Sequence, residues 1–523
     1  MAGTIEELKA ENAAQAAELA KLRDEIEQLR HNVEAYRRMA FGPSSEKRKG
    51  ATPEETDSQQ GWLFHQTIVA EAFETAERKD IDATISYEAP KKPKPRGGRR
   101  KTFPEHTPEM TTRYELPEAQ RVCACGSPLH EMGFETSREL ERIEITFVHK
   151  IERAKYACRS CEESVRTAPG PDRPFEKGLL GRGFLGHLIV ERFGHHMPYH
   201  RLEKKFAGEG LEVSRSTQER SMARCAERLA PLYDLLCEQV RSTDVLFTDD
   251  TPVTIAQPRG GGGSKQGRVW IYLDREGRHA YDFTESRSQD GPLKWLTGFK
   301  GYMHADAYPG YDKAFVPDGA IEVACWAHTR RKFIEAESSE PDLAAEILSR
   351  IRDLYAIERT AKDAGMGDGE RGGLRQEKAM PILESLRARL AVLEGQALPR
   401  SPMGKAVGYA QRQWAALCTY VTDGRLEIDN NAAERALRGF AVGRKNWMFF
   451  QREGGGRTAT ILASLLRTAQ AAGVEPVTYF RDVLVRIDRE RDWEKLLPHA
   501  WKERFEGEVE SWRQKAVARI SGR

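Results

Sequence analysis

At Asp244 the apolar periodicity of this 523-residue chain changes from helical to alternating, and the alternation continues long enough to write out a sheet. Strands are predicted at 245–255, 268–273, 279–283, 301–307 and 321–326, with a short helix over 289–299 between the third and the fourth. A helical or turn segment precedes the fifth. The order βββαβαβ describes an antiparallel meander extended by parallel crossovers. Its first and fourth strands lie side by side, which brings Asp249 and Asp306 to one edge of the sheet. Two neighbouring carboxylates repel unless a cation sits between them, so the pair points to divalent metal.

This is the strand order of a ribonuclease-H-like sheet, and a third ligand is expected on a helix packed near its first strand. Residues 334–424 read as a polar helical insertion, and IDNNAAERALR (428–438) follows it. Asp429 or Asn430 caps a helix there, Glu434 faces the sheet, and Asn431 lies on the same side three residues earlier. Arg435, Arg438, Arg444 and Lys445 surround that carboxylate with phosphate-binding charge. Taken by itself, Glu434 would be a surface acid paired with Arg438 at i,i+4. Cys325-x-x-His328 follows the fifth strand and supplies too few ligands for a second metal. His328 orients a carboxylate, contacts a phosphate or simply packs at the strand end; the sequence leaves all three open.

The amino-terminal third reads as a string of small modules. Heptads over 5–36, with Ile5, Leu19, Ile26 and Val33 at a, Leu8, Leu22 and Leu29 at d and a polar Asn12, favour a parallel two-stranded coil. A single amphipathic helix folded back on its own protein is the alternative. One helix is predicted over 62–78. Segment 91–101 then carries seven basic residues and no acid. It is either a solvated linker or an arm whose Arg96, Arg99, Arg100 and Lys101 lie along phosphates. Cys123-Ala-Cys125-Gly126 and Cys158-Arg-Ser-Cys161 suit a four-thiolate zinc site, with four reduced structural cysteines as the alternative. Cys225, Cys237 and Cys418 fall in helical patterns and read as small core residues. Residues 178–240 are predicted helical, and a Gly-containing turn at 208–213 leads to Ser214 as an N-cap. The helix after it bears Arg215, Gln218 and Arg220, so this pair is either a helix-turn-helix on DNA or ordinary helical packing.

Composition closes off other classes. The net charge of +2 hides the uneven distribution of basic residues, and the apolar content is 39%. No stretch approaches the roughly 18 unbroken apolar residues of a membrane span. The first residues lack the basic and apolar regions of a secretory signal. The Gly454-Gly-Gly-Arg457 turn lacks phosphate-loop spacing, so no ATP requirement is expected.

Several of these strings occur together in a known group. VLFTDDTPV, GYMHADAYPGY, CWAHTRRKF and IDNNAAERALRGFAVGRKNW resemble the IS66 family of bacterial insertion-sequence transposases. So do FGPSSEKR, the paired cysteines, the KGLL…HMPYHR segment and the tail GGGRTATILASLLRTAQAAGVEPVTYFRDVL, which extends the resemblance over nearly the whole chain. One departure is visible: the usual Asp-Glu-Thr-Pro is Asp249-Asp250-Thr-Pro here, which leaves the role of Asp250 open. The resemblance implies an α+β multidomain DNA transposase in which Asp249, Asp306 and Glu434 take the three DDE positions and hold two Mg²⁺ or Mn²⁺ ions. It implies cleavage of 3′ ends at terminal inverted repeats and joining to double-stranded target DNA. A homodimer through the coil, one structural Zn²⁺, small accessory proteins of the same element and a cytoplasmic, nucleoid-associated setting complete the expectation. Its segments are a coil (1–40), a basic linker (41–105), a zinc element (106–172), a helical DNA-binding region (173–243), the core (244–333), the insertion (334–424), the core's Glu-bearing part (425–472) and a helical tail (473–523). The rivals are a ribonuclease-H-like nuclease without strand transfer and a non-catalytic DNA-binding regulator.

Overall fold

The structure, a computed structural model, describes residues 146–520 except 158–164, 177 and 257–263, together with isolated positions between 121 and 130. The elements below belong to the unit Glu144–Arg523. First come two short antiparallel strands, β1 (Lys155–Ala157) and β2 (Val165–Thr167), with Lys155 opposite Thr167. In sequence they bracket Cys158 and Cys161. Those two residues, Cys123 and Cys125, the heptads of 5–36, the helix expected over 62–78 and the arm with Arg96, Arg99, Arg100 and Lys101 lie outside the described residues.

Helices α1 (Arg182–Ile189), α2 (Tyr199–Gly208) and α3 (Arg215–Arg241) follow. The turn before α3 uses a left-handed Gly210, and the Ser214 hydroxyl accepts the Thr217 N–H at 3.3 Å as an N-cap. Along α3 the buried residues run Met222, Cys225, Ala226, Leu229, Leu232, Leu236 and Val240, the spacing of a helix with one face against a core. Gln218 continues that face. It is fully buried and its Nε2 donates to the Val213 carbonyl at 2.9 Å, so it reads no DNA base. Arg215 is exposed and pairs with Glu203 at 3.1 Å, and Arg220 is exposed.

The sheet contains β3 (Val245–Ala256), β4 (Ser264–Asp274), β5 (His279–Thr284), β6 (Tyr302–Ala305) and β7 (Ile321–Ala324), with α4 (Asp290–Trp295) ahead of β6. Its order is β5-β4-β3-β6-β7; β3, β4 and β5 are antiparallel neighbours, whereas β6 and β7 are added in parallel. The register pairs Val245 with Tyr302 and Phe247 with His304. Gly301 permits this approach, because the Tyr302 N–H reaches the Asp244 carbonyl at 2.8 Å and a Cβ on Gly301 would overlap that same carbonyl. Several expected boundaries change: β4 begins four residues early, at Ser264, and α4 ends at Trp295. β6 stops at Ala305, leaving Asp306 just past the strand, and β7 stops at Ala324. Trp326 instead opens α5 (Trp326–Ala336), fully buried, with its indole N–H on the Leu417 carbonyl at 2.9 Å. A buried aromatic suits a strand end or a helix start equally well, and periodicity alone does not separate them.

The insertion is helical: α6 (Pro341–Asp363), α7 (Asp368–Leu374), α8 (Met380–Gln396), α9 (Pro402–Arg412) and α10 (Trp414–Cys418). Within it, fully buried Arg375 donates to both oxygens of Glu358 at 2.7 Å and to the carbonyls of Tyr420 (2.7 Å), Leu426 (2.9 Å) and Asp423 (3.0 Å). The chain then forms α11 (Asn431–Trp447), turns at left-handed Met448 into β8 (Phe450–Gln451), and continues as α12 (Arg452–Ala471), α13 (Pro476–Arg486) and α14 (Pro498–Ile520). β8 pairs in parallel with the far end of β3, Ile255 opposite Phe450. On α12, Thr460, Ser464 and Thr468 form one buried row. The hydroxyls of Ser464 and Thr468 accept the Tyr281 and His279 N–H groups at 2.8 and 3.0 Å, satisfying the free edge of β5.

One hydrophobic cluster lies on each side of the sheet. Leu246, Trp270 and Tyr272 share theirs with α1, α3, α12 and α13; Phe247, Ile271 and Val323 share the other with α5, α6 and α11. Gly301→Ala should therefore cost about 1–3 kcal/mol in urea unfolding, the range for overpacked sites. An unchanged midpoint would mean that β6 does not need this close approach. Burial pulls the His279 imidazole down to about 4, although the Gly277 carbonyl at 2.8 Å opposes the shift. The folded pKa lies below the unfolded one, so the unfolded chain takes the proton first as pH falls through 6.5. His279→Gln should flatten the loss of stability between pH 6.5 and 4 by up to about 1 kcal/mol per unit. Parallel urea titrations of the two proteins measure that slope.

Candidate active site

Extending the β3–β6 register by two residues, from Phe247 and His304, sets Asp249 beside Asp306 at the carboxyl end of β6. Phe247 and His304 stack at 4.4 Å on the same face and form the floor beneath them. The Asp249 Oδ1 accepts the Asp250 N–H at 2.7 Å. Burial pushes the Asp249 carboxyl up to about 7, against that hydrogen bond, and the charges of Asp306, Asp250 and Glu434 push the same way. Burial also raises Asp306, with His328 and Arg287 opposing and Asp250 reinforcing the shift. Asp249 thus senses both of the other expected ligands.

Glu434 occupies the first turn of α11, its N–H on the Asn430 carbonyl at 3.3 Å. Its Oε1 stands 3.6 Å from His328 Nε2, on the first turn of α5. That Oε1 is buried without a hydrogen-bond partner. His328 is therefore beside a carboxylate without hydrogen-bonding to it. Asn430 is the residue that seats this helix. Fully buried, it spends its amide on β3 rather than on capping: Nδ2 donates to the Thr248 carbonyl at 2.8 Å, one residue before Asp249. Its own N–H reaches Cys325 Sγ at 3.2 Å, and the Trp326 N–H reaches Ile428 at 3.2 Å. Asp429, one residue before the N-cap, accepts the Asn431 N–H at 3.1 Å. Asn431 turns back to Asp429 as well, Nδ2 to Oδ2 at 2.7 Å, and not toward Glu434.

Asp250, whose role the sequence left open, lies in the opposite alternation. It accepts from Arg268 Nη1 at 2.8 Å and from Arg287 Nη2 at 2.7 Å, with its side chain almost fully buried. Arg287 also lies over the Tyr308 ring at 4.1 Å. Sequence reasoning missed Arg268, Arg287 and the Asn430–Thr248 bond. Arg287 sits on a loop without periodicity, where its own string carries no signal.

The basic residues of α11 divide. Arg435, Arg438 and Lys445 are exposed. Arg444 instead ties the helix to β3, its Nη1 donating to the Pro252 carbonyl at 2.9 Å and to Thr251 Oγ1 at 3.2 Å. Among the described residues no three His, Cys, Asp or Glu side chains are grouped closely enough to hold a metal ion as they stand. The donor set nonetheless fits a hard divalent cation in kind: carboxylate oxygens whose charges act on Asp249, with a buried Glu434 oxygen that accepts no hydrogen bond. No helix among the described residues is long and apolar enough to cross a membrane.

Comparison with known proteins covers the same stretches. A family model described as "Transposase IS66 family" matches residues 177–458, and the "IS66 C-terminal element" matches 464–499. A "zinc-finger binding domain of transposase IS66" matches 120–162, and "Transposase C of IS166 homeodomain" matches 28–111. Among curated proteins, the uncharacterized protein y4jD of Sinorhizobium fredii is 33% identical over 76% of this chain and 81% of its own length. The uncharacterized protein y4qI of the same organism is 31% identical over 91% of this chain and 90% of its own. Asn430→Ala should cost about 1–3 kcal/mol through the unpaired Thr248 carbonyl. It should lower any activity of the carboxylate site by up to ~100-fold through misplacement of α11. Full activity in a variant of normal stability would show that the bond positions nothing.

Proposed function

The chain belongs to the IS66 transposase family, and from that membership we propose that it cuts the ends of its insertion sequence and joins them to target DNA with Asp249, Asp306 and Glu434 as its catalytic carboxylates. The observation that carries this reading is the β3–β6 register that sets Asp249 beside Asp306, with the charges of Asp306 and of Glu434 on α11 both acting on the Asp249 carboxyl. The mixed sheet, with its meander and two parallel additions, is proposed as a ribonuclease-H-like core. Zinc on Cys123, Cys125, Cys158 and Cys161, and a dimer through the 5–36 heptads, belong to the same proposal.

Asp249, Asp306 and Glu434 are the groups that would hold divalent cations, which when bound supply Lewis-acid polarisation of a phosphoryl oxygen and a more acidic attacking hydroxyl. The remaining work falls to the chain's own residues. Asn430 holds α11 to the Thr248 carbonyl, so that Glu434 keeps its place opposite Asp249. His328 stands beside Glu434 and opposes the charge of Asp306. Asp250 aims Arg287, whose partly exposed guanidinium offers donors to a phosphate near Asp306. No residue needs to form a covalent bond to DNA, because hydrolysis and strand transfer differ only in which hydroxyl attacks.

The test uses full-length protein, duplex DNA carrying the terminal repeats of its own element, a target plasmid and Mg²⁺ or Mn²⁺. Asp249→Asn, Asp306→Asn and Glu434→Gln should each lower cleavage and joining by roughly a thousandfold, several kcal/mol of lost transition-state stabilisation, with unchanged melting. Near-normal rates in Glu434→Gln would remove it from the site. Cleavage without joining in the unaltered protein would favour the nuclease reading, and binding without cleavage the regulator.

A further inference from the structure

On the other flank of α11 from Glu434 lies a cavity of about 770 Å³. Its walls are the exposed Arg435 and Arg438, Arg467 of α12, and His196 and His279; Phe247 and Leu273 contribute apolar surface from the sheet. Its carboxylates are already engaged, Asp274 by Arg278 and Glu427 by Arg371. Arg435, Arg438 and Arg467 have no carboxylate partner among the described residues; the Arg467 Nη1 reaches only the Gln470 amide oxygen, at 2.9 Å. Three guanidiniums from two helices therefore face one concave space without a counter-charge.

The lining is shaped as well as charged. Gly439 has no side chain where a Cβ would stand 2.8 Å from Arg467 Nη2 and 3.3 Å from His196 Cε1. His196 itself adopts a left-handed backbone with φ 60°. The His279 Nδ1 donates to the Gly277 carbonyl at 2.8 Å, which leaves Nε2 of the neutral ring as an acceptor. Burial and the nearby Arg467 keep both imidazoles neutral near pH 7. Cationic donors, imidazole acceptors and an apolar floor match a group with a phosphate at one end and a base at the other. A space of 770 Å³ is roughly 9 Å on a side, within the range of pockets for single small ligands. The major groove of a duplex alone is about 12 Å wide.

We propose that this cleft holds an unpaired DNA strand, with phosphodiesters against Arg435, Arg438 and Arg467 and a base in its interior. The proposal rests on the reading of the chain as a DNA-acting protein and adds a strand site on the flank of α11 opposite the carboxylates. Because Phe247 lies two residues before Asp249 on the same face of β3, about 7 Å away, the strand so held runs up to the reacting phosphodiester.

The test is photocrosslinking of full-length protein to a 5-iodouracil-substituted single strand, without divalent cation, with the attachment sites mapped by peptide mass spectrometry. Two variants are compared: Arg435→Gln/Arg438→Gln, which removes charge, and Gly439→Leu, which fills the cleft with charge intact. Crosslinks are expected on the cleft-lining residues and should fall by roughly tenfold in the double Arg variant, the effect of losing about two phosphate contacts, and clearly in Gly439→Leu, whose side chain takes the space of the base, with melting unchanged. The same sequence as a duplex should crosslink there poorly. Crosslinks confined to other parts of the chain, equal yield with duplex, or an unaffected Gly439→Leu would each overturn the proposal. Displacement of the strand from the cleft by millimolar pyrophosphate, with no base crosslinked there, would assign it to a small anion and overturn it too. Asp249→Asn keeps this readout independent of catalysis. A protein that crosslinks but never cuts loses only the functional reading, and one that cuts without crosslinking in the cleft loses only this inference.

Discussion

The parallel contact between Val245–Phe247 and Tyr302–His304 governs the rest of the site. Parallel strands cannot be joined by a tight turn, so the chain must leave the sheet through α4 and return. What it gains is placement of two acids far apart in sequence at one edge, on a floor of stacked Phe247 and His304. The floor is also held from below the helix layer, since His304 Nε2 accepts the Glu427 N–H at 3.3 Å. Without this pairing Asp249 and Asp306 would each be a solvated acid; with it, they become a half-buried, repelling pair that favours a cation.

The third carboxylate depends on a different device. A long helical insertion separates α5 from α11, and flexibility there would leave Glu434 free to wander. Arg375 prevents this by gathering Glu358 and three carbonyls, two of them in the stretch that leads into α11. Such a buried cation is stabilising only because its donors are taken by good partners. The chain then reaches Asn430 already fixed, and one amide bond to Thr248 completes the placement. The insertion is thus part of the site's scaffold, although none of its side chains is among the three acids.

Much of this was legible in the sequence where the signal was local and periodic. Alternation from Val245 onward marks β3, and the order of the following segments carries the β3–β6 adjacency before any coordinates. Ser214 reads correctly as a cap because a hydroxyl before a helical run has a local job. Asn430 misleads for the same reason: Asn is a good cap, but its partner Thr248 lies 182 positions away, where no local rule reaches. Gln218 looks polar enough for DNA. Its spacing from Met222 and Cys225 places it on the buried face of α3, a periodicity that outweighs residue type. Asp250 could be named but not explained, since Arg268 and Arg287 approach it from a neighbouring strand and a loop.

The hydroxyl row on α12 has a consequence for how copies of this chain can meet. By occupying the outward N–H groups of His279 and Tyr281, Thr468 and Ser464 remove the template onto which another chain's strand would add. The sheet is thereby closed to growth on its β5 side, and self-association through backbone ladders is blocked there. Any contacts between copies on that side are then left to side-chain surfaces. Those contacts can be made and released without opening the sheet that carries Asp249.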